Sequence, residues 1–129
     1  MTVRLDHTIV AARDKDASAT FFTEILGLPA PVPMGHFAAV VLDGGLTLDF
    51  ADTEGPIRPT HYAFAVSGDE FEAIFERVQR RGLSFWADPQ RRRPGEIADR
   101  GQGRGFYFED PSGHYLEVLT RAEQDQRAA

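Results

Sequence analysis

One stretch decides the fold: Arg104-Gly-Phe-Tyr-Phe-Glu-Asp-Pro-Ser-Gly-His-Tyr-Leu-Glu-Val-Leu119. Two aromatic-rich runs flank a connection that contains Pro, Ser and Gly, which predicts a strand, a tight turn at 110–113 and a second strand. Glu117 lies among apolar residues of the second strand. Because a buried carboxylate is costly unless it is paired or binds a metal, the rest of the chain should supply a partner for Glu117.

The composition is that of a globular chain with an acidic balance. It has 129 residues, 42% of them hydrophobic and 26% charged, with no cysteine and a net charge of -6. The length predicts one domain over residues 1–129 that ends in a polar tail at 122–129. The lack of cysteine excludes disulfides and thiolate nucleophiles, and the negative charge argues against nucleic acid as a partner. No apolar run approaches the ~20 residues of a membrane span, and the N-terminus lacks the apolar core of a signal peptide. We therefore expect a cytoplasmic protein with no membrane partner.

The chain repeats one pattern in its two halves. A strand-like run precedes an amphipathic helical pattern that a glycine closes, at Gly27 in the first half and Gly82 in the second. His7 lies 20 residues before Gly27, and His61 lies 21 residues before Gly82. The two histidines therefore occupy equivalent positions of an internal repeat.

The hairpins that follow the two helices repeat as well. In both, an acid lies four residues after a glycine, Asp49 after Gly45 and Glu117 after Gly113. Asp49 of the first half therefore corresponds to Glu117 of the second.

The repeat predicts an α+β fold of two βαβββ modules, at about 3–53 and 58–121, with a short strand at 83–87 in the second. Together the modules form an open, cup-shaped mixed β-sheet with the helices on the outside. Strand alternation puts small residues on the faces of His61 and Asp49 and bulky residues on the opposite faces. The bulky faces suit packing under the helices, and the small faces should line a hollow that receives the histidines and carboxylates.

Three side chains at positions picked out by the repeat form a candidate metal site: His7, His61 and Glu117. Two neutral imidazoles and one carboxylate leave coordination positions open on a first-row divalent ion such as Fe²⁺, Mn²⁺, Ni²⁺ or Zn²⁺. Each residue alone has a simpler interpretation, since a strand histidine is often a hydrogen-bonded core residue and a glutamate often pairs with arginine. Their joint occurrence at repeat-related positions favours the metal site.

Four segments carry a family resemblance: Leu5-Asp-His-Thr8, Phe21-Phe-Thr-Glu-Ile-Leu-Gly-Leu28, Thr60-His-Tyr-Ala-Phe64 and Phe106-Tyr-Phe-Glu-Asp-Pro-Ser-Gly-His-Tyr-Leu-Glu117. In these segments the chain resembles the vicinal oxygen chelate superfamily, which includes glyoxalase I, bleomycin-resistance proteins, fosfomycin-resistance enzymes and extradiol dioxygenases. The resemblance covers about residues 5–120. Its most specific part is the pattern Asp-Pro-x-Gly-x-x-x-Glu after an aromatic strand.

The resemblance implies a divalent metal bound at His7, His61 and Glu117, and a small-molecule substrate that chelates the metal through two adjacent oxygens. It implies a glyoxalase-like or dioxygenase-like enzyme, a metal-dependent lyase or dioxygenase, that forms a homodimer. In the glyoxalase I pattern the fourth ligand is a glutamate, where this chain has Asp49. Because aspartate is one methylene shorter, we expect Asp49 to reach the metal through water or to act as a base. Tyr107 is the other predicted proton-handling group.

Other members of the family give alternative functions. Fosfomycin-resistance enzymes use three ligands and have similar stretches around His61 and Tyr107, but their potassium loop and anion-binding lysine have no clear counterpart here. The only lysine of this chain is Lys15. A bleomycin-resistance-like protein would bind a drug or metabolite without catalysis. In a purely structural interpretation, the two histidines and Glu117 satisfy each other by hydrogen bonds in a closed core.

Extradiol dioxygenases use an acid/base histidine and a tyrosine beside the metal. The candidates for these roles are His36, His114, Tyr107 and Tyr115. Alternation puts Tyr115 on the strand face of Glu117 and His114 on the other. Tyr115 is therefore a predicted substrate contact.

Five arginines lie between positions 91 and 104, which is unusual in an acidic protein. A solvated loop is the simpler interpretation. The alternative is a mobile lid whose guanidinium groups bind an anionic substrate through bidentate hydrogen bonds. Arg104, next to the strand at Phe106, is the predicted substrate contact of this lid.

Overall fold

The computed structural model describes residues 2–121, so the predicted tail at 122–129 lies outside the described residues. The chain divides into two compact units. Of the described residues, unit 1 comprises 2–58 and Asp110–Gly113, and unit 2 comprises Pro59–Glu109 and 114–121. The single domain over the whole chain stays a prediction.

The described part of unit 1 contains an α-helix and four strands: β1 (His7–Ala12), α1 (Lys15–Leu26), β2 (Val32–Met34), β3 (Phe37–Val41) and β4 (Thr47–Asp52). The strands form a mixed sheet in the order β1-β4-β3-β2, in which β1 and β4 are parallel. Helix α1 begins where the Asp14 carboxylate accepts hydrogen bonds from first-turn amides, and it ends at Gly27, whose φ of 73° is left-handed. Its buried side covers one face of the sheet, where the rings of Phe22 and Phe50 lie 4.8 Å apart.

The described part of unit 2 repeats this arrangement: β5 (His61–Ala65), α2 (Gly68–Arg80), β6 (Ala98–Asp99), β7 (Arg104–Glu109) and β8 (Tyr115–Leu119). The order is β5-β8-β7-β6, with β5 parallel to β8. Ser67 and Glu70 form a capping box at the start of α2, in which each side chain accepts a hydrogen bond from the backbone N–H of the other residue. The helix packs on the sheet through Phe71, whose ring lies 5.4 Å from that of Phe106.

The short strand predicted at 83–87 does not form. Trp86 alone pairs with β7, exchanging backbone hydrogen bonds of 2.9 and 2.8 Å with Tyr107. The carbonyl of Phe85 accepts instead from the amide of Gly95, over 2.8 Å, because the following loop folds back on this segment. The edge position beside β7 is taken by the two residues of β6.

The predicted α+β class and the two βαβββ modules are confirmed, since each unit has an open mixed sheet with the same strand order and a helix on one face. None of the helices within residues 2–121 has the length and apolarity needed to cross a membrane.

Candidate metal centre

The register of the two sheets makes the histidine and acid positions equivalent. His7 and His61 are each the first residue of the strand that forms the parallel pair. Asp49 on β4 pairs with Ile9, two residues after His7. Glu117 on β8 pairs with Ala63, two residues after His61. The two correspondences predicted from the repeat are therefore present in the sheets.

In unit 2, the polar and aromatic side chains share one face of the sheet. Partners on neighbouring strands point to the same side, and Tyr107 pairs with Glu117 while Tyr115 pairs with His61. The other face carries apolar side chains, each at most 1% exposed: Phe106, Phe108, Leu116 and Val118. Alternation thus separates the face of the candidate site from the face that packs against α2.

His61 and Glu117 form a close pair of candidate ligands. Nε2 of His61 donates to Oε1 of Glu117 over 3.0 Å. The His61 side chain is 47% exposed and that of Glu117 is 12% exposed, so the histidine side of the pair is open to solvent. Two ligand atoms at right angles on an ion with bonds of ~2.1 Å lie about 3 Å apart. The separation of these two atoms therefore fits a metal ion.

Two further side chains of unit 2 contact Glu117. Nη2 of Arg100 donates to Oε2 over 3.3 Å. The Tyr107 hydroxyl interacts electrostatically with both Glu117 and Arg100. Burial raises the pKa of Tyr107, and the charge of Glu117 raises it further, while Arg100 acts in the opposite direction. Tyr107 is therefore a neutral phenol near pH 7, suited to donate a hydrogen bond or a proton.

The loop after α2 folds onto the same face of this sheet. The guanidinium of Arg91 lies 4.6 Å from the ring centroid of Trp86 and 5.2 Å from that of Tyr115, and it forms an ion pair with Glu109. The hydroxyl of Tyr115 donates to the carbonyl of Pro89 over 2.6 Å. Arg91 therefore contacts one predicted site residue, Tyr115.

The structure does not bring Arg104 to this group. Nη1 of Arg104 donates to Glu72 over 3.1 Å, and its guanidinium lies 4.4 Å from the ring centroid of Phe71. Both partners belong to α2, on the opposite side of the sheet from Glu117. The arginine beside Glu117 is Arg100 instead.

The sequence does not predict that Arg100 contacts Glu117, because the loop before β7 has no periodicity that would give the position of its side chains. The signal that was available is Gly105, a glycine inside a strand, which is typical of a close approach by another group. That group is the guanidinium of Arg100.

In unit 1, His7 and Asp49 line a cavity of about 680 Å³. Nδ1 of His7 donates to Oδ2 of Asp6 over 2.8 Å. This hydrogen bond raises the pKa of His7, and the charge of Asp49 raises it as well, while desolvation lowers it. Metal-binding histidines commonly donate one ring N–H to a carboxylate, which orients the ring and leaves the other nitrogen for the ion. His7 has this arrangement, with Nε2 as the remaining nitrogen.

Asp49 has a buried oxygen that nothing in the described chain satisfies. The residue is 6% exposed, and its Oδ1 has no hydrogen-bond partner among residues 2–121. Such an oxygen is costly unless a cation, a water or a ligand contacts it. Asp49 therefore fits the predicted role beside a metal.

The other two histidines differ in their surroundings. His114 is 1% exposed, and its Nδ1 accepts from the amide of Thr60 over 3.0 Å, which gives it a structural role. His36 lines the cavity of unit 1, and its carbonyl accepts from Nζ of Lys15 over 3.0 Å.

The structure thus brings His61, Glu117, Tyr107 and Tyr115 together in unit 2, and it places His7 with Asp49 in unit 1. Within either unit, the described residues hold no group of three His, Asp or Glu side chains arranged for a metal ion. The three-ligand set of His7, His61 and Glu117 stays a prediction.

Comparison with known proteins gives four informative matches. The family model of the Glyoxalase/Bleomycin resistance protein/Dioxygenase superfamily matches residues 4–118. Glutathione transferase FosA of Serratia marcescens is 30% identical, over 92% of this chain and 81% of the relative. Metallothiol transferase FosB of Shouchella clausii is 28% identical, over 90% of this chain and 79% of the relative. The solved structure of Oxidase ChaP-H1 is 56% identical with a TM-score of 0.91, over 93% of this chain and 97% of that one.

Proposed function

The chain belongs to the Glyoxalase/Bleomycin resistance protein/Dioxygenase superfamily, and from this membership we propose that it is a divalent-metal-dependent oxidase. Its substrate would be a small molecule that binds the metal through adjacent oxygens. The observation that carries the proposal is the 3.0 Å pair of His61 Nε2 and Glu117 Oε1 on the face of the sheet opposite α2.

In this proposal His61 and Glu117 hold the ion and His7 completes the set. Bound there, a divalent transition metal would supply Lewis acidity and, in the case of iron, electron transfer to dioxygen. Two imidazoles and one carboxylate are the donor set of non-haem Fe(II) oxygenases, which leaves positions open for substrate. Asp49 supports a metal in a second way, through its buried oxygen without a partner.

The chain's own residues would handle protons and orient the substrate. Tyr107 would donate a hydrogen bond to a substrate oxygen, because its raised pKa keeps the phenol protonated. Asp49 would be the base that accepts the proton of a substrate hydroxyl. Tyr115 would flank the substrate. Arg91 and Arg100 would be the cations that an anionic substrate meets, because they lie on the face of the sheet that carries Tyr115 and Glu117, whereas Arg104 lies on the face of α2.

Oxidase chemistry is favoured over the other activities of the family by the 56% identity to Oxidase ChaP-H1. A thiol transferase is the second candidate, supported by 30% identity to FosA and 28% to FosB. We place it second because the only lysine, Lys15, donates to the carbonyl of His36 in unit 1. The anion-binding lysine expected of fosfomycin-resistance enzymes thus has no evident counterpart.

We also propose that the protein is a homodimer. The sheet face of unit 1 that carries His7 exposes large apolar side chains, between 46% and 57% of their surface: Ile9, Val32, Met34 and Val41. Such a surface is typical of a protein interface. Light scattering on a size-exclusion column is expected to give twice the mass of the chain, and a monomeric mass at micromolar concentration would contradict the proposal.

Metal reconstitution tests the proposed activity. Protein stripped with a chelator and reloaded with Fe²⁺ under nitrogen is expected to bind about one ion per chain. With catechol as a probe that has adjacent oxygens, the loaded protein should consume dioxygen on an oxygen electrode, and the stripped protein should not. Uptake of less than about a tenth of an equivalent of every transition metal tried would exclude the proposed site.

The same preparations separate the two candidate activities. Mn²⁺-loaded protein is incubated with fosfomycin and glutathione, and the products are analysed by mass spectrometry. A glutathione adduct without metal-dependent dioxygen uptake would favour the thiol transferase. Metal-independent binding of a ligand without any product would favour the binding protein.

A further inference from the structure

We propose that Arg100 is a positioning residue for Glu117. The guanidinium of Arg100 packs against Gly105 and hydrogen-bonds with one oxygen of the Glu117 carboxylate. The other oxygen then lies beside His61 and is free to bind the ion. The inference rests on the proposed metal site, and it adds a residue that sets how Glu117 binds the ion.

The two oxygens of Glu117 have different partners. Oε1 lies 3.0 Å from Nε2 of His61, and Oε2 lies 3.3 Å from Nη2 of Arg100. A carboxylate held in this way cannot turn Oε2 toward His61 without losing the guanidinium. Arg100 therefore favours a ligand that binds through one oxygen, and it keeps a further coordination position for substrate.

The guanidinium of Arg100 rests on the backbone of β7, where the sequence has Gly105. A Cβ at this position would lie 2.9 Å from Nη1, 3.0 Å from Nη2 and 3.1 Å from Cζ of Arg100. These are the three heavy atoms nearest to such a Cβ, and all belong to the end of one side chain, so a methyl group here would require the guanidinium to shift. Any larger residue would move the guanidinium away from its present place beside Glu117.

The turn that carries Arg100 is itself fixed to the sheet. The amide of Arg100 donates to the carbonyl of Gly103 over 2.9 Å, and the amide of Gly101 donates to the Asp99 carboxylate over 3.0 Å. Gly103 has a φ of 153°, and a Cβ there would overlap the carbonyl oxygen of Thr120. The backbone at residue 100 is therefore anchored, and the side chain leaves it from a defined point.

A role in stability alone does not account for this arrangement. The Arg100 side chain is 40% exposed and that of Glu117 is 12% exposed, and a pair with one exposed partner contributes modestly to stability. By contrast, loss of a group that orients a metal ligand typically lowers metal affinity about 10–100-fold. The charge of Arg100 acts in the other direction, because a guanidinium near a metal cation repels it. Removal of Arg100 therefore combines two effects of opposite sign, whereas a methyl group at Gly105 moves the guanidinium and keeps its charge.

The test is a double-mutant cycle on Mn²⁺ affinity, measured by titration calorimetry with chelator-treated protein. The four proteins are wild type, Gly105→Ala, Arg100→Gln and the double variant. Gly105→Ala is expected to weaken Mn²⁺ binding about tenfold in the wild-type background. In the Arg100→Gln background the same change is expected to cost less than about twofold, because the guanidinium that meets the new Cβ is gone.

Two outcomes overturn the inference alone. Equal losses in both backgrounds would mean that Gly105 acts through the backbone, and no loss in the wild-type background would mean that Arg100 does not position Glu117. Arg93→Gln is the matched control, because it removes a loop arginine that pairs with the exposed Glu96, and it should leave Mn²⁺ affinity unchanged. Wild-type protein that binds no Mn²⁺ or Fe²⁺ would overturn the metal site and this inference together, so the two failures are distinguishable.

Discussion

Glu117→Gln is expected to weaken divalent-metal binding by about 100-fold or more, a larger loss than that from changing a residue that only orients a ligand. Glutamine keeps the size of the side chain but replaces an anionic oxygen donor with a neutral amide. The 3.0 Å contact with His61 would no longer offer a charge to a cation. Arg100 would then face an amide in place of its counter-ion, and its positive charge would further disfavour a metal.

Calorimetric titration of the chelator-treated variant with Mn²⁺ measures this loss. Glu76→Gln is the matched control, because Glu76 is an exposed glutamate that pairs with Arg80 on α2. The control should bind Mn²⁺ as the wild type does. If Glu117→Gln also retained wild-type affinity, Glu117 would not be a ligand, and its contacts with His61 and Arg100 would have to be structural.

Phe106→Ala is expected to lower the free energy of unfolding by about 3–5 kcal/mol, the usual cost of truncating a buried phenylalanine. Phe106 has no exposed surface, and its ring centroid lies 5.4 to 5.9 Å from four other rings. These are the rings of Phe71, Phe75, Phe85 and Phe108. Alanine would leave a cavity under β7, the strand that carries Tyr107 on its other face.

Urea denaturation followed by circular dichroism measures the change at Phe106. Phe106→Leu keeps an apolar side chain in the same space and should cost less than Phe106→Ala. Arg80→Ala, at a side chain that is 75% exposed, should stay within about 0.5 kcal/mol of wild type. A loss below about 1 kcal/mol for Phe106→Ala would show that the aromatic cluster is not the core of unit 2.

The fold was accessible from the sequence because its local signals agree with one another. Gly27 ends α1 in a left-handed conformation, and Ser67 with Glu70 begins α2, both as the pattern indicates. Local signals do not show how distant residues correspond. The internal repeat does, and it predicts that His7 and His61 occupy equivalent positions in the two sheets. The equivalence of these positions was thus predicted from the similarity of the halves rather than from either half alone.

Two predictions for the second half were wrong, the strand at 83–87 and the placement of Arg104 at the site. Both concern the irregular segment between α2 and β7, where tertiary contacts rather than local sequence determine the structure. The apolar run at 83–87 has the composition of a strand, but only Trp86 finds a strand partner because the loop occupies its neighbours. The sequence does not distinguish the five arginines from one another. Their contacts with the sheet determine which of them lies beside the predicted metal ligand Glu117. For Arg104, strand alternation already predicts the outcome. Arg104 and Phe106 are two residues apart on β7 and share the face toward α2, whereas Tyr107 lies on the opposite face.

The candidate site was predicted only in part: the sequence pattern predicts the positions of His61 and Glu117 but not that of Arg100. The pairing of β5 with β8 puts His61 and Glu117 on one face, and this follows from the repeat and the hairpin. Arg100, which contacts the other oxygen of Glu117, comes from a loop without periodicity, so the sequence pattern does not predict its position.

We propose above that His61, Glu117 and His7 bind one metal ion. Anomalous diffraction from a crystal of Mn²⁺-loaded or Fe²⁺-loaded protein tests it most directly. We expect an anomalous peak about 2.0–2.3 Å from Nε2 of His61, from one oxygen of Glu117 and from a ring nitrogen of His7. A peak elsewhere, or an intact hydrogen bond between His61 and Glu117 in a crystal shown to contain the metal, would contradict it.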